Sequence, residues 1–104
     1  MARYHVGLDA GKYKHHACVR DTLTDQYSKV FPFSVNRQGF EGFVSFLERA
    51  TVKGDTIVGV EASGPYAATI VHFLLEHGYT TVEINPFQAA SFESLRGRKL
   101  RQIE

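Results

Sequence analysis

Asp9 and Glu61 stand at matching places in the chain. Each closes a short apolar run, YHVGLD at 4–9 and TIVGVE at 56–61, and each precedes a small-residue turn. Each also has a glycine two residues earlier, Gly7 and Gly59. Side chains alternate faces along a strand, so each glycine shares a face with its acid and leaves that face low beside it. Two carboxylates brought together repel unless a proton or a cation intervenes. Magnesium suits such a place, because it takes oxygen ligands and keeps waters that a phosphate can replace. Two such ions about 3.5–4 Å apart can activate a nucleophile and stabilise the leaving oxygen of a phosphodiester. The alternative is that each acid only caps a neighbouring turn or helix N-terminus. The residues by themselves leave both readings open.

Other groups offer less. His15 and His16 are adjacent and point to opposite faces of a strand, so they cannot share a metal. His72 and His77 diverge on a helix, and all four read as surface or half-buried histidines. Asp25 and Asp55 lie in turn-like contexts. The one cysteine, Cys18, allows no intrachain disulfide and reads as a small buried hydrophobe. No G-x-x-x-x-G-K-[ST] or G-x-S-x-G motif is present. Net charge is only +1, so a whole-domain attraction to nucleic acid is weak, but Arg96, Arg98, Lys99 and Arg101 cluster without an intervening acid. Such a cluster is either a solvated helix end or a phosphate contact.

The elements that must position the two acids can be read from periodicity. Tyr4, Val6 and Leu8 alternate as a first strand, 14–20 continues as a second after the Gly11 turn, and 26–33 is a third, with Pro32 at an edge. Phe40, Phe43, Val44 and Leu47 then recur at helical spacing from a start near Asn36. TIVGV at 56–60 is a strand buried on both faces. A helix follows Ser63-Gly64-Pro65, with Pro65 in its first turn, a stripe of Ala67, Ile70, Val71 and Leu74, and Gly78 at its end. TTVEI at 80–84 is a fifth strand, and Asn85-Pro86 caps a third helix running toward Leu95.

The order is β-β-β-α-β-α-β-α. Right-handed crossovers place the strand at 56–60 parallel to and beside the first, with the fifth outside it, a strand order of 3-2-1-4-5 with helices packed on the sheet. This α/β order is that of the ribonuclease H-like fold, though it also admits other α+β layouts. At 104 residues, 43% hydrophobic, the chain can form one core, burying roughly 60–68% of its unfolded surface. No run approaches the ~18 apolar residues of a membrane span, and no leader-like segment precedes residue 4. A soluble, cytoplasmic protein is expected.

Three ordered stretches, GLDAGK at 7–12, VGVEASGPY at 58–66 and INPFQ at 84–88, resemble the N-terminal domain of the DEDD transposases of the insertion-sequence 110 family, which includes the Piv-type DNA invertases. The resemblance implies a RuvC-like domain with four metal-binding acids, magnesium or manganese as cofactor, and DNA (insertion-element ends and target) as partner. A guide RNA and a second copy of the chain are further implied partners. The first two acids carry over to Asp9 and Glu61. In the family's Lys-Thr-Asp-Arg-x-Asp segment this chain reads KLRQIE at 99–104, which puts Arg101 at the third acid and Glu104 at the fourth. DNA contacts are expected at Lys12, Arg96, Arg98, Lys99 and Arg101.

The family's second domain, which carries a catalytic serine, has no counterpart in these residues. The chain is therefore expected to be a single RuvC-like domain, 1–104, a truncated fragment that is not a competent recombinase alone. Two other functions fit less well. Asp-x-Gly after a first strand also describes the phosphate loop of actin-like ATPases and sugar kinases, although 104 residues cannot supply both lobes. A non-catalytic relic that self-associates is the other.

Overall fold

The computed structural model describes residues 2–61 and 65–84. Its elements are β1 (Tyr4–Ala10), β2 (Lys14–Asp21), β3 (Gln26–Tyr27), β4 (Phe31–Ser34), α1 (Arg37–Ala50), a 3-10 turn (Lys53–Asp55), β5 (Thr56–Glu61), α2 (Ala67–Glu76) and β6 (Thr80–Ile84). The strands form one mixed sheet in the order β3-β2-β1-β5-β6, with β4 also paired to β2. β1 runs antiparallel to β2 and parallel to β5, and β5 runs parallel to β6. The expected strand order holds. The third helix expected after Asn85-Pro86 lies outside the described residues.

The strand expected at 26–33 is two strands, for a local reason. Arg20 faces Tyr27, yet three residues back along β2 Ala17 faces Phe31, four residues on. One extra residue is accommodated between them, as in a β-bulge. Ser28 sits at the break: its amide donates to the Val19 carbonyl at 2.8 Å, while its hydroxyl accepts the Val19 amide at 2.9 Å. A hydroxyl thus stands where a backbone carbonyl would continue the ladder. Pairing resumes at β4, where Pro32 has its expected edge position, since proline has no amide to donate.

One face of the sheet carries the core. Val6 and Leu8 of β1, Ala17 and Val19 of β2, Phe33 of β4, and Val58 and Val60 of β5 pack with Phe40, Phe43, Val44 and Leu47 of α1 and with Ala67, Ile70 and Leu74 of α2. Alternation explains the set, since these strand positions are two apart. Phe33 and Phe43 stack with centroids 4.4 Å apart, as do Phe31 and Phe46. α2 begins at Ala67, so Pro65 lies in the turn that leads in rather than in the first helical turn. Gly78, at φ 81°, follows its C-cap.

α1 starts where the Asn36 side chain accepts the Gly39 amide at 2.7 Å, an N-cap that satisfies one of the helix's orphan donors. Gly39 is there because strand β4 passes directly beneath it. A Cβ would lie 2.8 Å from both the backbone N and C of Ser34 and would collide with its carbonyl oxygen. Alanine normally favours a helix over glycine by about 1 kcal/mol. Here the steric cost, about 1–3 kcal/mol or more for an overpacked site, outweighs that gain. Gly39→Ala is therefore expected to lower the urea midpoint, and an unchanged or raised midpoint would refute the close approach.

Near the chain start, the Arg3 guanidinium forms a two-pronged pair with Asp21, both contacts 2.9 Å. That pairing, helped by the Leu23 amide, lowers the Asp21 pKa from 3.8 to about 2. A depressed carboxylate stabilises the fold above its ordinary pKa, and the contribution is lost as pH falls through the folded value. Both partners are partly exposed, so the effect is modest and salt-screened. The stability difference between wild type and Asp21→Asn should be present above about pH 4 and vanish as pH falls through about 2. Urea titrations across that window check it.

Candidate metal centre

The parallel pairing of β1 with β5 aligns Val6 with Val58, Gly7 with Gly59, and Leu8 with Val60. Asp9 and Glu61 are the next residue on each strand. They therefore lie side by side at the C-terminal edge of neighbouring strands, whose backbones are about 4.8 Å apart. Leu8 and Val60 enter the core, so alternation sends Asp9 and Glu61 to the opposite face. Gly7 and Gly59 are direct partners on that same face, which leaves a floor without Cβ atoms beside the acids. Asp9 is exposed and Glu61 half-buried.

This donor set suits a hard cation. Two carboxylates on adjacent strands offer only oxygen donors, while Gly59 beside them is itself buried. Among the described residues, no three His, Cys, Asp or Glu side chains gather as a metal site. Glu104, with Arg96, Arg98, Lys99 and Arg101, lies outside the described residues. Lys12 does not: it sits at the tip of the β1–β2 hairpin, exposed, at the same sheet edge as Asp9. Its ammonium is 5.2 Å from the ring centroid of Tyr13, which is 78% exposed.

The hairpin that follows Asp9 is tightly built. A Cβ on Gly11 would stand 2.6 Å from the Lys14 carbonyl oxygen, so no larger residue fits without moving backbone. The Gly11 amide donates to Nδ1 of His15 at 3.1 Å. His15 is fully buried, which corrects its reading as a surface or half-buried histidine. The physical reason is that it shares a face with Ala17 and Val19, the core face of β2. Burial pushes its pKa below the ordinary histidine value. His16, on the other face, is half-buried beside Asp9 across the ladder, and His72 and His77 are exposed. Cys18 is buried, as expected.

Residues 6–100 match the profile of a transposase family, the DEDD transposases of insertion sequence 110. No curated protein matches the chain. Among solved structures, RuvC from T. thermophilus, in complex with a Holliday junction substrate, is similar with a TM-score of 0.61. The alignment covers 97% of this chain and 83% of that one at 13% identity. At that identity the likeness is one of fold, and it identifies the mixed sheet as RuvC-like, within the ribonuclease H-like class.

Proposed function

The chain belongs to the DEDD transposase family of insertion sequence 110, and from that premise we propose that the edge formed by Asp9 and Glu61 is a divalent-metal site acting on a DNA phosphodiester. The domain is of the transposase/recombinase nuclease type. Such families are generally dependent on divalent metals, and magnesium or manganese is the cation proposed here. The observation that carries the reading is the register: the Gly7–Gly59 and Leu8–Val60 pairs bring the two acids to one edge and one face.

The carboxylate oxygens of Asp9 and Glu61 would hold the cation, with Glu104 proposed as a further ligand. When bound, the cation supplies charge neutralisation at a phosphoryl oxygen and a more acidic water. The exposure of Asp9 leaves that acid accessible to a DNA backbone. Lys12 at the exposed hairpin tip is proposed to pair with a phosphate. Arg96, Arg98, Lys99 and Arg101 are proposed as further contacts. The reading extends to element ends and target DNA, a guide RNA and a second copy of the chain as partners, in the cytoplasm. Among the described residues, no helix is long and apolar enough to cross a membrane. RuvC's junction substrate suggests branched DNA as a probe. Neither the family match nor the likeness to RuvC supports the phosphate-loop alternative.

Four-way-junction DNA titrated in Mn2+ and in EDTA tests this reading. Binding is expected to be tighter with the metal, and equal affinity in both would overturn it. Lys12→Ala should weaken binding to all sequences alike and flatten the salt dependence by about one unit of log–log slope. An unchanged slope would remove Lys12 from the interface.

A further inference from the structure

We propose that His15 is a positioning residue that sets the Asp9-bearing turn in its metal-binding arrangement, an inference that rests on the reading of Asp9 as a ligand. The Gly11 amide, two residues beyond Asp9, is held by His15 Nδ1 at 3.1 Å. The His15 ring is itself anchored. It lies nearly parallel to Phe40 of α1, with centroids 5.8 Å apart, and edge-on to Phe33 of β4 at 5.3 Å. Phe40 in turn meets Phe73 of α2 at 5.3 Å. A surface turn is thereby tied to the seat of both helices.

A histidine in this place is chemically conspicuous. Its Nε2 is buried and has no hydrogen-bond partner among the described residues, and a buried polar atom left unpaired is destabilising. A phenylalanine, a somewhat larger ring, would take the same place among Phe33 and Phe40 with no orphaned nitrogen. What imidazole adds is an acceptor at Nδ1, and the one donor it takes is the Gly11 amide. Ala10 and His15 are the last cross-strand pair of the hairpin, so this bond closes the turn just where the ladder ends. The tightness at Gly11, with the Lys14 carbonyl 2.6 Å from where a Cβ would be, leaves the backbone little alternative path while the bond is made. The direction in which Asp9 leaves its strand is thus coupled to a ring in the core.

Two variants separate positioning from packing. His15→Phe keeps the aromatic seat and removes the acceptor, while His15→Asn offers an amide oxygen near the place of Nδ1 and removes the ring. Gly11 amide exchange is followed by NMR, Mn2+ affinity by calorimetry, and stability by urea unfolding. His15→Phe is expected to remain folded, to exchange Gly11 at least tenfold faster, and to bind Mn2+ several-fold more weakly. His15→Asn should be less stable yet keep Gly11 protection and Mn2+ affinity near wild type. Unchanged Gly11 exchange in His15→Phe overturns the tether, and freed Gly11 with unchanged Mn2+ affinity overturns the positioning role. If the wild type binds no Mn2+, the metal reading itself falls and the role of His15 with it, a result distinct from either of those.

Discussion

Asp9→Asn is expected to bind Mn2+ at least tenfold more weakly than the wild type. Asp9 and Glu61 are one residue beyond the aligned Leu8–Val60 pair, so two carboxylates share one sheet edge. A cation between them gains both attractions. Neutralising one acid forfeits one charged ligand. A tenfold loss corresponds to about 1.4 kcal/mol of binding free energy. Glu61→Gln should show the same loss. The double variant should lose less than the sum of the two, because the acids act as a unit. Calorimetric titration with Mn2+ gives the readout. A single variant that leaves affinity intact would remove its residue from the site.

Phe43→Ala is expected to be the most damaging single change to the fold. Phe43 is fully buried and stacks on Phe33 at 4.4 Å, with Phe31 and Phe46 each 6.4 Å away. Truncating such a ring costs about 3–5 kcal/mol, the lost transfer energy plus the cavity that remains. Domains of this size have roughly 5–15 kcal/mol in all, so a fifth or more of the total would go. The urea midpoint should fall while the slope stays unchanged, as for a pure stability change. Phe43→Leu, which leaves a smaller cavity, should cost markedly less. A loss under about 1 kcal/mol for the alanine variant would mean that α1 and β4 repack freely.

Much of the architecture was legible in the sequence because β1, β5 and β6 and α1 follow simple periods. The helical stripe at Phe40, Phe43, Val44 and Leu47 is buried as its spacing predicts. The placement of Asp9 beside Glu61 follows from two strands of similar pattern and the handedness of the crossover between them. Two features were not legible. The bulge at Ser28 depends on a hydroxyl entering a ladder, and nothing in QYSKVFPF marks that serine as different from a solvent-facing one. The inward face of His15 was blurred for another reason. Ala17, Cys18 and Val19 are all buried, so the alternation that would have placed His15 with Ala17 and Val19 is lost where it was needed. The bond to Gly11 then depends on the turn's path, which residue types alone do not determine. For Glu104 and the basic cluster at 96–101, the expectations stand outside the described residues.

The central position of β1 has a consequence for the order of events in folding. Its pairing with β2 closes a local hairpin and can form early, whereas every β1–β5 pair joins residues 52 positions apart. Distant pairings carry the larger loop-closure cost and are the slower ones to form. A nascent chain that has made only the β1–β2 hairpin therefore holds Asp9 without Glu61. The carboxylate pair is a product of the last long-range docking step, and no cation can be captured between the two acids until that step is complete.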